Sequence, residues 1–142
     1  RDYYASRGLG DVYKRQEYIV MKSHTLIGAS MLARLDHYRD EELARTAYQI
    51  CRWHHERYDG GGYPDGLKGE EIPIAAQVVS IADAYDALIS PRVYKEGFSH
   101  EQAMQMIRNG ECGAFNPLLI ECLEDSQSRI RYLASMTAER FS

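Results

Sequence analysis

The chain has 142 residues, of which 44% are hydrophobic and 27% charged, a balance typical of one globular domain and not of a disordered or fibrous protein. Its formal net charge of −4 argues against binding to a nucleic acid polymer or an anionic membrane, which would require a basic face. The sequence lacks an apolar run of about 18 residues, so we expect no membrane span. Its three cysteines lack Cys-x-x-Cys spacing, which favours packing roles in a reducing cytoplasm.

The first sixteen residues, RDYYASRGLGDVYKRQ, differ in character from the rest of the chain. They show no sustained apolar period, and their DVYKRQ end resembles translated adapter sequence at the edges of metagenomic fragments. We therefore expect residues 1–16 to be a non-native or disordered leader and residues 17–142 to form the domain.

Two helices are predicted ahead of a glycine-rich stretch. From residue 17 the spacing places one set of side chains on an inward face: Val20, His24, Ile27, Gly28, Met31 and Leu35. A second helix is predicted from Asp40 to Tyr58, with a buried stripe made of Leu43, Ala47, Ile50, Cys51, His54 and Tyr58. Both patterns turn histidines toward the interior.

A long loop is predicted over residues 59–71, because Pro64 and five glycines between Gly60 and Gly69 break any regular period. Loops of this length are usually functional or mobile. Pro73 fits the first turn of a third helix, PIAAQVVSIADAYDALIS, which is apolar nearly all round and should lie at the centre of the fold.

Two capping patterns predict the remaining helices. Ser99 with Gln102 has the spacing of a capping box, and Gly110 is a stop signal for the helix that follows. Asn116 and Pro117 form a cap and first turn, which opens a last helix running toward the C-terminus. Since no alternating strand pattern competes, we expect an all-α bundle of about five helices with a long glycine-rich loop.

Asp83 is the residue in the third helix that most needs a partner. It lies among alanines, where an unpaired buried carboxylate would cost several kcal/mol, so a cation, a metal or dense hydrogen bonding is required. A buried ion pair or a bond between helices is the structural alternative. Asp86, three residues on, shares this side of the helix and could instead be the structural member of the pair.

The adjacent His54 and His55 change how His24 is interpreted, since a lone inward histidine is more often a core residue than a ligand. Neighbouring helical residues lie about 100° apart, so two such rings converge only at a helix end or against a third element. Three histidines and Asp83 on three helices would suit iron, manganese or zinc. The competing interpretation is a polar helix end that runs into a surface turn.

The glycine-rich loop is not a nucleotide P-loop, because no Gly-Lys-Ser/Thr follows the glycines. Three motifs in order, HHERYDGGGYPDGLKGEEIP, IADAYDALISPRVYK and GAFNP, resemble the HD-GYP domain, an all-helical subgroup of HD-type metal-dependent phosphohydrolases. The match runs from about Met21 to Leu123. The resemblance implies a centre of two or three metals that hydrolyses cyclic di-GMP to pGpG or GMP in bacterial signalling.

The resemblance also assigns roles to individual residues. The positions that match metal ligands of the family are His24, His54, His55 and Asp83. The motif that names the family is matched by Gly62, Tyr63 and Pro64, and the basic positions expected to hold substrate phosphates are Arg92 and Lys95. From the residues alone, the last two would be solvated surface charges.

The sequence departs from the family at three places. It contains no His-Asp dipeptide, the pair that should lie upstream of His24, so the catalytic machinery is not intact and we expect little hydrolysis by this chain. Gln77 stands where many members have arginine, and Asn116 where many have aspartate. Two functions remain open: part of a cyclic di-GMP phosphodiesterase, or an inactive module that senses a nucleotide or docks on a signalling protein.

Overall fold

The computed structural model describes residues 23–38, 40–91 and 96–141, and every regular element within these ranges is helical. Helix α1 covers residues 23–33. It is followed by α2 (Glu42–Trp53), α3 (Ile74–Ile89), α4 (His100–Arg108), α5 (Pro117–Asp125) and α6 (Gln127–Phe141). Short 3-10 turns lie at Asp36–Tyr38 and Gly69–Glu71. The predicted all-α class is confirmed.

Two helix boundaries differ from the prediction. The expected last helix is divided at Ser126, whose φ of −97° and ψ of 3° take the chain out of the α-helical region, so the described residues hold six helices and not five. The helix predicted to reach Tyr58 ends at Trp53, with His54 as its C-cap. The chain then turns into the glycine-rich loop, residues 59–71.

Helix α3 lies at the centre, as predicted, and packs against α2, α4 and α5. Its buried residues join a cluster with α4 and the turn that precedes α5: Ile81, Ala84, Tyr85, Leu88, Ala103, Met104, Ile107, Cys112 and Phe115. Ile74 and Val78 are exposed, so α3 is not buried all round. Cys112 has the predicted packing role, and all three cysteines are free thiols.

The predicted inward face of α1 is wrong. Thr25 and Ala29 are buried, whereas the larger side chains expected inside are exposed: His24, Ile27, Met31 and Leu35. Val20 lies outside the described residues. A side chain on Gly28 would begin 3.5 Å from Cys51, so the small residues of α1 allow it to approach α2 closely. Helix α1 therefore contacts α2 through small residues and not through the large residues that the sequence predicted.

Both predicted caps are confirmed. Ser99 and Gln102 exchange the two bonds of a capping box, at 3.0 and 3.2 Å between donor and acceptor. Asn116 accepts from the N–H of Leu118 at 3.0 Å. Pro73 lies one position earlier than expected, as the N-cap of α3.

The hydrophobic cluster around α3 predicts that substitution of two leucines, one inside the cluster and one outside it, has different effects on the free energy of unfolding. Leu88 is 2% exposed and Leu43 is 78% exposed, although the sequence predicted that both would be buried. We expect Leu88→Ala to lower the free energy of unfolding by about 2–5 kcal/mol, and Leu43→Ala to change it by less than about 0.5 kcal/mol. Urea denaturation followed by circular dichroism measures both. Equal effects would contradict this description of the core.

Candidate metal site and the glycine-rich loop

The two adjacent histidines lie where α2 ends. His54 is the C-cap residue, and the turn that follows brings the rings of His54 and His55 to 4.1 Å between centroids with a 46° tilt. A helix end was the arrangement that the sequence required for two neighbouring imidazoles to approach one point. Both side chains are half-buried, so each is partly shielded from water and partly accessible.

A backbone carbonyl sets the proton position on His54. Its Nδ1 lies 2.7 Å from the carbonyl oxygen of Ile50, which can only accept, so Nδ1 carries the proton and donates. With Nδ1 engaged in this way, Nε2 is the nitrogen through which the ring would bind a metal. Histidines that bind metals are commonly oriented in this way by a carbonyl behind the ring.

His55 stacks on a residue of the loop. Its ring lies 4.9 Å from that of Tyr63 at an interplanar angle of 16°. Burial, and then electrostatic repulsion from His54 and Arg57, lower the pKa of His55 from 6.5 to about 3. His55 is therefore neutral near pH 7, which is the form of imidazole that binds a metal.

Glu56 connects the histidines to the loop. It is only 2% exposed, and its carboxylate accepts three backbone N–H groups: from Asp65 at 2.6 Å, Gly66 at 3.1 Å and Leu67 at 2.9 Å. These bonds replace the water that the buried carboxylate has lost. Glu56 was not among the site residues predicted from the sequence, although its position beside two histidines and ahead of the glycines was the available signal.

The loop is held a second time by the side chain of Asp65. Arg52 donates to both its oxygens, from Nε at 2.8 Å and from Nη2 at 3.1 Å. Trp53 donates from its indole nitrogen at 2.7 Å. The bidentate contact and the indole bond tie this end of the loop to the last turn of α2.

The glycine-rich loop packs beside the histidines at Gly62 and Tyr63. A side chain on Gly62 would begin 2.4 Å from the backbone nitrogen of Arg57, so only glycine allows the loop to lie this close. The N–H of Tyr63 points to the carbonyl of His55 at 3.3 Å, and the bond between Tyr63 and Pro64 is cis. The part of the loop that carries the family motif is thus attached directly to the histidine turn.

Arg57 attaches the same turn to the core. Its Nη1 donates to the hydroxyl of Ser80 on α3 at 2.9 Å, and its guanidinium lies 5.4 Å from the ring centre of Phe115. Gly113, at a φ of 97°, leaves room for this side chain, since a side chain there would begin 2.7 Å from Nε. The histidine turn is therefore held between α3 and the segment ahead of α5.

The other predicted metal ligands lie on α1 and α3. His24 is exposed rather than inward, and electrostatic repulsion from it is the smallest of the causes that lower the pKa of His55. Asp83 is half-buried on α3. In the ranges that the structure describes, no three His, Cys, Asp or Glu side chains come together closely enough to hold an ion. The neutral ring of His55 beside the oriented ring of His54 fits a metal, and the four-ligand set stays a prediction.

The two predicted phosphate-binding residues, Arg92 and Lys95, lie outside the described residues. The two departures from the family motif, in contrast, contact each other. The side-chain amide of Asn116 donates to that of Gln77 at 3.1 Å, and Gln77 donates to the carbonyl of Ile72 at 2.8 Å. A neutral pair of amides therefore stands where the resemblance led us to expect arginine and aspartate.

The sequence pattern of the HD domain family matches residues 5–116. The chain belongs to the HD domain family. The match begins inside the stretch expected to be a non-native leader, and that expectation remains untested. Within the described residues, no helix of this HD domain is long and apolar enough to cross a membrane.

Several curated relatives are similar to this HD domain over most of its length. A cyclic di-GMP phosphodiesterase of Vibrio cholerae is 44% identical over 107 residues, which are 75% of the chain and 22% of that protein. The cyclic di-GMP phosphodiesterase response regulator RpfG of Xanthomonas campestris pv. campestris is 36% identical over 80% of the chain and 29% of its own length. The 3'3'-cGAMP-specific phosphodiesterase 2 of Vibrio cholerae is 36% identical over 76% and 20%. The chain thus spans less than a third of these relatives.

The lowered pKa of His55 predicts how the stability of the metal-free protein depends on pH. Between pH 6.5 and about 3, the unfolded chain binds a proton at His55 that the folded chain does not. The free energy of unfolding is therefore unaffected by this proton above pH 6.5, and it falls as the pH is lowered below 6.5. After allowance for solvent screening, we expect a loss on the order of 1 kcal/mol between pH 7 and pH 5. Urea unfolding in EDTA, compared with His55→Gln, measures it; an unchanged pH slope in the variant contradicts it.

The contact between Gln77 and Asn116 predicts coupled substitutions. Asn116→Asp keeps the cap on Leu118 but puts a carboxylate oxygen against the amide oxygen of Gln77, which should cost about 1–3 kcal/mol. Adding Gln77→Arg supplies donors to that carboxylate, so the double variant should be more stable than the sum of the two single changes by about 0.5–3 kcal/mol. A double-mutant cycle in urea measures the coupling. Strictly additive changes would show that the two positions act independently.

Proposed function

We propose that the chain is part of a metal-dependent cyclic di-GMP phosphodiesterase of the HD-GYP subgroup, acting in the cytoplasm of a bacterium. The observation that carries this proposal is the histidine pair, with rings 4.1 Å apart, the Nδ1 proton of His54 held by a backbone carbonyl, and a neutral His55. The order of the motifs and the names of the relatives support the substrate class, a cyclic dinucleotide.

The metal site of the proposal is built on His54 and His55, with His24 and Asp83 as the further ligands that the resemblance implies. A divalent iron, manganese or zinc ion, when bound, supplies polarisation of phosphate oxygens and acidifies bound water. The residues of this chain orient the two histidine rings. The carbonyl of Ile50 accepts a hydrogen bond from His54, and Tyr63 covers one face of His55. Arg92 and Lys95 are proposed to bind the phosphates of the substrate.

A second function is favoured by one feature of the sequence, the lack of a His-Asp dipeptide. The resemblance implies that this pair would help to hold the metals, so a chain without it would lack part of the set that activates water. A chain of this sequence would then sense a cyclic dinucleotide or dock on a signalling protein through the glycine-rich loop. The two proposals differ in one measurable respect, which is turnover.

We expect the chain as given to bind some metal but to release no pGpG or GMP, and a protein extended upstream with its native His-Asp segment to release both. In the extended protein, His54→Ala or Asp83→Ala should lower metal affinity about 10- to 100-fold and abolish product. His37→Ala is the matched control, since His37 lies in the 3-10 turn after α1 and outside the predicted ligand set. Lys95→Ala should raise KM more than it lowers kcat.

The measurements are bound iron, manganese and zinc together with product release from cyclic di-GMP and from 3'3'-cGAMP. An extended protein that is folded and carries its full complement of metal, yet releases no product from either substrate, would rule out the enzyme and leave the binding module. Loss of activity in His37→Ala equal to that in His54→Ala would rule out the assignment of ligands.

A further inference from the structure

The carboxylate of Glu56 holds the loop from a buried position, where loss of hydration is unfavourable. At 2% exposure it has lost almost all of its water, and its partners among the described residues are backbone N–H groups and not a lysine or arginine. Buried ionised carboxylates are retained only where dense hydrogen bonding compensates the lost hydration. Here three consecutive N–H groups supply that compensation, and all three belong to the segment directly after Pro64.

The loop is fixed on both sides of Tyr63 by the turn that carries the histidines. On one side Gly62 lies against the backbone of residues 55–57, and on the other Glu56 holds the N–H groups of residues 65–67. Asp65 adds a contact with Arg52 and Trp53. The five consecutive residues 52–56 thus contain two residues that hold Asp65, the two histidines, and the acid that holds the loop backbone.

The ring of Tyr63 stacks on that of His55. At 4.9 Å and 16° the rings are stacked, so the position of one limits rotation of the other about the bond to its ring. The N–H of Tyr63 also points to the carbonyl of His55. Any change that releases residues 65–67 would therefore allow Tyr63 to move and His55 to rotate.

We propose that Glu56, supported by Asp65, is a positioning residue that keeps Tyr63 stacked on His55 and thereby sets the ring orientation of His55 for ligand binding. The role as a ligand rests on the proposed function, whereas the control of the stack does not. A ligand held in one orientation before binding loses less conformational freedom when the metal binds. A loop closed only for stability would not have this effect on His55.

The test uses isosteric variants of the chain as it is. In Glu56→Gln, an amide can accept at one oxygen, but its NH2 group must then face an N–H of the loop. We expect the nuclear Overhauser contacts between the rings of His55 and Tyr63 to be lost. The emission of Trp53, the single tryptophan, should shift as Asp65 moves. Asp65→Asn should cause a smaller loss of the ring contacts and a smaller shift of the tryptophan emission.

Asp59→Asn is the matched control, because its carboxylate bonds to Gly61 within the loop and not to residues 52–56.

A second pair of variants covers the case in which Glu56→Gln does not fold. Tyr63→Phe keeps the stacked ring and should retain the orientation of His55, whereas Tyr63→Leu removes it. With Zn²⁺ alone as the probe, we expect affinity about 10- to 100-fold lower for Glu56→Gln and Tyr63→Leu, and near the wild-type value for Tyr63→Phe and Asp59→Asn.

The outcomes separate the two proposals. Unchanged His55–Tyr63 contacts in Glu56→Gln, or equal loss in Asp59→Asn, overturns the positioning role. Equal Zn²⁺ affinity in Tyr63→Leu and Tyr63→Phe overturns the link between the stack and the ligand. A wild-type chain that binds no Zn²⁺, with contacts that still depend on Glu56, counts against the proposed metal function and leaves the positioning of the ring intact.

Discussion

A carboxylate can remain buried only when hydrogen bonds replace its lost water, and at Glu56 those bonds come from three consecutive N–H groups of the glycine-rich loop. This requirement orders the loop, because each N–H must reach an acceptor whose position is set by the end of α2. The stack of Tyr63 on His55 and the close approach of Gly62 are both consequences. A stretch rich in glycine is thereby held in one conformation beside the histidines.

The side chains of Glu56 and Arg57 contact different parts of the molecule. Glu56 binds the loop, while Arg57 reaches Ser80 on the central helix and lies over Phe115. Adjacent residues with opposite charge thus connect the loop, the histidines and the core through one turn. The side-chain amides of Gln77 and Asn116 add a neutral link between α3 and the start of α5, on the same side of the central helix.

Membership of the HD domain family and the geometry of the histidine turn agree on the class of chemistry. The ring of His54, oriented by a carbonyl, and the neutral ring of His55 are suited to a divalent metal. Relatives of this chain are named as cyclic di-GMP and 3'3'-cGAMP phosphodiesterases. The structure also shows that the glycine-rich loop lies against the two histidines. The loop is attached to the histidine turn by the bonds to Glu56 and by the stack of Tyr63 on His55, so it is held beside the two rings.

Local chemistry determined what the sequence alone could predict. The caps at Ser99 and Asn116, the helical class and the extent of the loop depend on residues a few positions apart, where side chain and backbone compete directly. Only the tertiary structure decided which face of α1 is buried and that Glu56 binds the loop. These depend on how closely α1 approaches α2 and on partners 9 to 11 positions away, and no periodicity encodes either. His24 was misplaced for this reason, because helical spacing defines a face but not its neighbour.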